Sequence, residues 1–388
     1  MKKKTFLVIM CGLILSLLIA FSAQAGKLSG KQVLIGGIYS VSGICNEFAL
    51  AAKIGADIAI EEINEAGGIG GVPIKVVEYD VNCKGAPAIP IINKLVKQDK
   101  VLFVNGPCQS SVVEVIYPKL NRLKTVLCSF CSSKPGIAST SKYGFRNTLT
   151  SDKQLEPAII KWKEKYNIKT AVILYNSEDA VSTVEGKILM PMLFKKHGIE
   201  LLKMYSFQTN TFDFKPFMTK IKALNPDGIG MGTCHEHGAR MAIEARKQGI
   251  EAPFISGACN SSAAFLELAG DASKGYYGST AAWIQGNPDP RMVNFLAKFI
   301  KRSPGGKIPP YSAPRSYDNI YILKKIMEEE GVTNKPGDLQ EDRDKIQRGW
   351  AKLKDYNGIS GITSIDENGD GIGGVVTLVE KDGKYISE

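Results

Sequence analysis

The sequence predicts an α/β protein of two doubly wound lobes, each a parallel sheet covered by helices on both faces. Three observations lead there. Short apolar runs alternate with amphipathic stretches along the chain. That alternation breaks near residues 145–150 and then starts again. After a leader-like N-terminus, roughly 360 residues remain, room for two domains of ordinary size.

The elements follow in order. Val33-Leu34-Ile35 reads as a strand; Leu50, Ile54 and Ile58 then recur at helical spacing, and that helix stops at Gly67-Gly68. Residues 74–79 form the next strand, 88–96 a helix, 101–104 a strand, 112–123 a helix and 125–128 a fourth strand. The second block runs from a helix over 155–165 and a strand over 170–174 to a helix ending near His197-Gly198. Strand 201–205, helix 214–224, strand 228–231 and helix 239–248 complete it. The last hundred residues add two or three helices and the turn-rich DENGDGIGG between strands. Parallel sheets of this kind bind ligands outside the carboxyl ends of their strands, where strand order switches, so two facing lobes would form a cleft.

The N-terminus has the three parts of a secretory leader. Lys2, Lys3 and Lys4 precede an apolar core over 6–21, and Ala23-Gln24-Ala25 supplies small residues for cleavage before Gly26. The apolar core is shorter than a membrane span of about 20 residues, so the reading is a cleaved leader and an exported protein. Composition is globular, with 44% hydrophobic and 23% charged residues. The formal charge of +10 includes the three leader lysines; the other basic residues are scattered, with no aromatic-rich binding motif, which argues against nucleic acid. A solvated basic surface favouring anionic solutes at long range fits better.

The stretch YSVSGICNEFALAAKIGADIAIEEINEAGGIGGVPIKVVEYDVNC gives a more specific reading. Its Ser42-Gly43 loop, Ile63-Asn64 pair, Gly67-Gly68-Ile69-Gly70-Gly71 turn and the acidic Glu78 and Asp80 stand in a fixed order. NGPCQSS (105–111), ARKQGIEAPFISG (245–257), LAGDASKGYYGST (268–280), SYDNIYIL (316–323) and DENGDGIGG (366–374) follow. In this order and spacing the chain resembles the leucine/isoleucine/valine-binding family of extracellular solute-binding proteins that serve ABC importers. The resemblance implies a type I periplasmic binding protein whose lobes are joined by three crossovers. Its lobes would be 26–147 with 282–355, and 148–281 with 356–388, the last ending in a C-terminal hairpin. It further implies a monomer that traps a small-molecule solute between its lobes and delivers it to a membrane permease, without cofactor, metal or nucleic acid.

The same resemblance implies a set of binding positions. Phe48 is the aromatic that covers the ligand; Gln109, Ser110 or Ser111 supplies a donor after the third strand; Cys131 and Ser133 lie on the loop that holds a carboxylate. On the second lobe, the place of the amino-acid binders' tyrosine is taken by Cys234, followed by His235. The place of their ammonium-pairing glutamate is taken by Ala258, flanked by Gly257, Cys259 and Asn260. A buried ammonium without a counter-charge is costly, so leucine is disfavoured and a carboxylate-bearing aliphatic or aromatic acid, or a modified amino acid, is favoured. The alternative is an amide, urea or amino-acid receptor with a relocated acid, Glu236 or Asp179. Arg315 is either a partner for an anion or a solvated arginine at a helix start.

Seven cysteines follow the leader: Cys45, Cys83, Cys108, Cys128, Cys131, Cys234 and Cys259. Export permits disulfides. The resemblance implies a bridge between Cys83 and Cys108, closing a loop of about 25 residues worth roughly 3 kcal/mol. Cys128 ends a strand and reads as core, which makes its C-x-x-C spacing with Cys131 coincidental. Cys45, Cys131, Cys234 and Cys259 map to strand-end loops. They are free lining thiols, or further bridges such as Cys234 with Cys259, or, with His235, a thiol or soft-metal site. Asp366 to Gly371 match the opening of a calcium loop, but Thr377 stands where the twelfth-position glutamate belongs, so a hairpin turn is the better reading. No Walker, HExxH or G-x-S-x-G motif is present, and the three histidines show no oriented acid partner. A binding protein, not an enzyme, is expected.

Overall fold

The structure, a computed structural model, describes residues 28–42 and 46–387. The expected leader over residues 1–25, with Cys11, and Gly43 and Cys45 of the first loop lie outside the described residues. The first block comprises β1 (Val33–Tyr39), α1 (Asn46–Glu65), β2 (Ile74–Asp80), α2 (Gly85–Lys97), β3 (Phe103–Asn105), α3 (Ser110–Leu123), β4 (Val126–Ser129) and β5 (Gly144–Arg146). The second begins with α4 (Ser151–Tyr166), β6 (Thr170–Asn176), α5 (Ala180–Val184), a π-helical turn over Glu185–Leu189, α6 (Met190–Lys196) and β7 (Glu200–Phe207). It continues through α7 (Lys215–Leu224), β8 (Gly228–Gly232), α8 (His235–Lys247), β9 (Phe254–Ser256), α9 (Ala263–Ala269) and β10 (Tyr276–Thr280). Then come α10 (Pro290–Arg302), α11 (Ser312–Glu329), α12 (Leu339–Lys352), β11 (Tyr356–Gly358), β12 (Gly361–Ile365), β13 (Gly371–Ile372), β14 (Val376–Lys381) and β15 (Lys384–Ser387).

The first sheet has the order β2-β1-β3-β4-β5 and is parallel throughout. The second runs β15-β14-β10-β9-β8-β6-β7; its five inner-numbered strands repeat the first sheet's order in parallel, and β14 and β15 add an antiparallel edge. The chain moves to the second sheet between β5 and β6, leaves it after β10, and returns at β14. Between those last two crossings, α11 and α12 pack their apolar stripes into the first core: Ile320, Leu323, Ile346 and Trp350 are buried there, and Ile365 of β12 joins them. Trp350 stacks on Phe103 at 5.8 Å and on Phe145 at 6.0 Å, fixing α12 over β3 and β5.

Local chemistry explains the early motifs. Ile63 is buried, while Asn64 mimics a strand backbone: its carboxamide donates to the Ile74 carbonyl at 3.0 Å and accepts from the Ile74 N–H at 2.7 Å, pinning the end of α1 to the start of β2. Glu62 accepts from Lys298, Tyr317 and Tyr321, tying α1 to α10 and α11. No helix of the described residues is long and apolar enough to cross a membrane.

Candidate functional site

In each sheet the strand order reverses beside one strand, β1 in the first and β6 in the second. The loops leaving the carboxyl ends there diverge to either side and open a crevice. The two crevices face one another. Residues after β1, β3 and β4 form one wall of a cavity of about 270 Å³, and residues after β6, β8 and β9 form the other.

The first wall is built on buried hydrogen bonds. Phe48, in the first turn of α1, meets the Tyr311 ring edge-on at 5.6 Å, and the Tyr311 hydroxyl donates to the Cys131 carbonyl at 3.1 Å. Burial pushes the Tyr311 phenol well up, so it stays a donor. Gln109 precedes α3 without capping it through its side chain; its Oε1 accepts from the Ser40 hydroxyl at 2.8 Å. The N-terminus of α3 therefore meets the cavity at Ser110 and Ser111 with the positive end of its dipole. Ser110 Oγ lies 3.0 Å from Ser132 Oγ and accepts from the Lys134 N–H at 3.2 Å. Ser133 faces the cavity while its Oγ and carbonyl accept from Ser151 Oγ and N at 3.0 and 2.8 Å, coupling this wall to the start of α4.

The second wall carries more charge. Asp179 caps α5, accepting from Ser182 N and Oγ at 2.9 and 2.7 Å. Glu178 Oε2 accepts from the Thr209 N–H at 2.9 Å, and His237 Nε2 donates to the Thr209 carbonyl at 3.0 Å. Burial pulls the His237 pKa below its ordinary value, which favours the neutral ring. His235 Nδ1 lies 3.1 Å from Glu47 Oε2, so this pair bridges the two walls; burial raises Glu47, opposed by the His235 charge. Cys234 and Cys259 are free thiols on this wall.

Of the positions implied by resemblance, Phe48, Gln109, Ser110, Ser111, Cys131, Ser133, Cys234, His235 and Cys259 all line this cavity. Ala258 does not; it is buried in the apolar cluster of Phe48, Cys131 and Tyr311. The expected Cys83–Cys108 bridge is corrected: Cys108 is bonded to Cys131, with Cα atoms 4.7 Å apart, and Cys83 is disulfide-bonded elsewhere. The sheet order is the reason. β3 and β4 are neighbours, with Asn105 opposite Cys128, and Cys108 and Cys131 each stand three residues further on; β1 separates β2 from β3. Cys131 is thus no free thiol, and Cys128 is a buried thiol at the end of β4.

Arg315 fits neither expectation. It is buried inside α11, donating to Asn147, Thr363 and the Ala281 carbonyl, and it does not line the cavity. The DENGDG segment is a turn: Asp366 Oδ1 accepts from the N–H groups of Asn368 and Asp370, and the Asp370 carboxylate holds Arg146 at 2.6 Å. Among the described residues no group of three or more His, Cys, Asp or Glu is arranged to hold a metal ion.

Sequence reasoning missed Asn176, Glu178, Thr209, His237 and Tyr311 as cavity residues. Asn176 and Glu178 carried a usable signal, since they follow the first strand of the second block, where a strand-order switch would fall. Tyr311 carried none, because its place depends on the fold of a segment distant in sequence from the loop it bonds.

The sequence profile of the periplasmic binding protein family matches residues 32–383. The leucine-, isoleucine-, valine-, threonine- and alanine-binding protein of Pseudomonas aeruginosa is 23% identical over 363 residues, covering 92% of both chains. The branched-chain amino acid transporter substrate binding protein LivJ of Streptococcus pneumoniae, solved with isoleucine, superposes with a TM-score of 0.82 at 23% identity, over 92% of this chain and 99% of that one. An ABC-transporter solute binding protein of R. palustris, solved with 4-hydroxybenzoate, gives 0.80 at 20% identity, over 92% and 95%. At these identities the solved structures speak to the fold, while the profile spans nearly the whole chain. With its two largely parallel sheets and the cleft between them, the chain belongs to the periplasmic binding protein family, whose members are solute-binding proteins of transporters and not enzymes.

Proposed function

We propose that this protein is exported to the periplasm, losing its leader after Ala25, and serves as the solute receptor of an ABC importer. It closes two lobes on a small carboxylate-bearing organic solute and presents the closed form to a membrane permease. The observation that carries this reading is the cavity, with the uncapped N-terminus of α3 and Ser133 on one wall. Its volume of about 270 Å³ falls just under the roughly 300–1,000 Å³ of drug-sized sites, which suits a solute of amino-acid or benzoate size. Ser110, Ser111 and Ser133 take the carboxylate, where backbone N–H groups and the helix dipole favour an anion. Phe48 covers the apolar body, and Cys234, His235 and Cys259 face its far end. The isoleucine and 4-hydroxybenzoate named for the two solved relatives share a carboxylate and little else, which supports placing recognition on that group. Both walls come from one chain, so a monomer suffices. Closure follows from the ligand's greater affinity for the state in which both walls touch it.

One observation favours a second reading, an amino-acid or amide receptor with a relocated acid: Glu178, Asp179 and Glu236 line the second wall. A thermal-shift screen of amino acids, aromatic and aliphatic acids, and their amides separates the two. Free acids are expected to raise Tm and their amides to fail. Ser133→Ala is expected to weaken the best acid roughly tenfold, the loss of about one charge-assisted hydrogen bond. Stabilisation by α-amino acids alone would favour the second reading. Unchanged affinity in Ser133→Ala would remove the first-wall assignment.

A further inference from the structure

The second wall holds a pair of thiols that solute recognition does not explain. Cys234 follows β8 and Cys259 follows β9, and both line the cavity. Within the paired strands Met231 stands opposite Ser256, and the two cysteines each lie three residues beyond that pair. The first sheet has the same arrangement. There Asn105 stands opposite Cys128 on β3 and β4, and Cys108 and Cys131, three residues beyond, are joined by a disulfide. β8 and β9 occupy the places in the second sheet that β3 and β4 occupy in the first. The repeated architecture thus sets two cysteine pairs at equivalent strand ends, one bonded and one reduced. In the bonded pair this offset leaves the Cα atoms 4.7 Å apart, inside the range a disulfide tolerates of roughly 4.4–6.8 Å, and both reduced thiols line the same cavity.

We propose that Cys234 and Cys259 form a reversible dithiol–disulfide site in the wall of the solute cavity, oxidised by a disulfide and restored by a thiol. The exchange balances in two steps. One thiol loses its proton and attacks the oxidant R–S–S–R, forming a mixed disulfide and releasing one thiolate. The second cysteine, also deprotonated, attacks that mixed disulfide and releases the other thiolate. Two protons pass to the two departing thiolates, and two electrons leave the pair to reduce the oxidant to two R–SH. Cys259 is the first nucleophile by electrostatics: its neighbour Cys234 lowers its pKa, although burial leaves it above the ordinary value. Cys234, raised by its neighbour Cys259 and by burial, lies further above the ordinary value and acts second. Oxidation removes both S–H groups from the cavity and ties the loop after β8 to the loop after β9. The chemistry belongs to the pair itself, whichever solute the cavity takes.

The test uses the mature protein and oxidised glutathione at pH 8, with an acid quench and peptide mapping without reductant. The expected product is a crosslinked peptide pair joining Cys234 to Cys259, two hydrogen atoms lighter and without retained glutathione; brief treatment with dithiothreitol should restore both thiols to alkylation. In Cys259→Ser and, separately, Cys234→Ser, the remaining cysteine should keep glutathione as a stable mixed disulfide. Thiols that stay alkylatable in the wild type overturn the proposal. So does a wild-type protein that accumulates glutathione adducts without the crosslink. None of these readouts requires a solute, so failure here leaves the receptor reading intact, and failure of the solute screen leaves this one.

Discussion

Glu185 is 2% exposed and lies beneath the second wall, in the π-helical turn. Its carboxyl occupies the space a side chain at Gly257 would need, which accounts for glycine there. Burial lifts its pKa to about 7, against a hydrogen bond from Ser151 and with help from the charge of Asp179. The ordinary value is 4.5. Between the two values the folded chain holds a proton that the unfolded chain has lost. Stability therefore falls as pH rises from about 4.5 to about 7, then levels off. The accumulated loss is about 3 kcal/mol at 1.36 kcal/mol per pH unit. Glu185→Gln cannot titrate and should escape this loss. In urea unfolding it should match the wild type near pH 4.5 and exceed it at pH 8 by up to about 3 kcal/mol. A difference that stays constant with pH would show that Glu185 is ionised throughout. Nothing in the sequence marks Glu185, because its burial depends on a turn that breaks the α-helical period. Phe48, Ser110 and Ser133 were legible through the family resemblance, and each lies in the loop or first helical turn that follows a strand, where parallel sheets bind ligands.

Long periodic helices and apolar strands were readable as elements, whereas the three-residue β5 carried too little pattern to be seen. Pairing was harder than existence. The order β2-β1-β3-β4-β5 decides which strand ends are neighbours, and no local signal reports it; the resemblance implies Cys83 as the partner of Cys108, whereas this order sets Cys131 beside it. Helix contacts are equally silent in sequence. α1 crosses α11 closely enough that a Cβ at Gly55 would strike the backbone of Ala313. A backbone obstacle cannot rotate aside, so Gly55→Ala must push the helices apart, an overpacking change costing typically about 1–3 kcal/mol. Calorimetry should show Tm lowered by several degrees, at about 2–4 °C per kcal/mol for a domain of this size. Gly337→Ala, where a Cβ meets nothing within 4 Å, serves as the control and should leave Tm unchanged. Equal Tm values for the two variants would show that the α1–α11 contact yields without strain.

At the scale of the whole molecule, the three passages between sheets bring together segments far apart in sequence, and Arg315 sits where they converge. Its Nη1 donates to Asn147 Oδ1 at 3.0 Å and to Thr363 Oγ1 at 2.8 Å, and its Nη2 donates to the Ala281 carbonyl. Asn147 follows β5, Ala281 follows β10, and Thr363 lies on β12 shortly before the return to β14. Asn147 closes the network by donating to the Arg315 carbonyl at 3.1 Å and accepting from Thr363 Oγ1 at 3.1 Å. Burial draws the guanidinium pKa down to about 10, so the group stays charged at neutral pH. The alternation of elements foretold two sheets, but the role of this arginine follows only from the crossings. Arg315→Met keeps much of the volume and leaves three buried acceptors short of a donor, a loss on the order of 3 kcal/mol. Because those acceptors lie on the passages and not in either core, the damage should be local. Hydrogen exchange of the variant should quicken at 147–150, 281–284 and 361–365 while β3, β4, β8 and β9 keep their protection. Uniform loss of protection across both sheets would make Arg315 an ordinary stabilising residue of the core. Loss confined to the passages would identify it as the side chain that holds the two sheets in a common geometry.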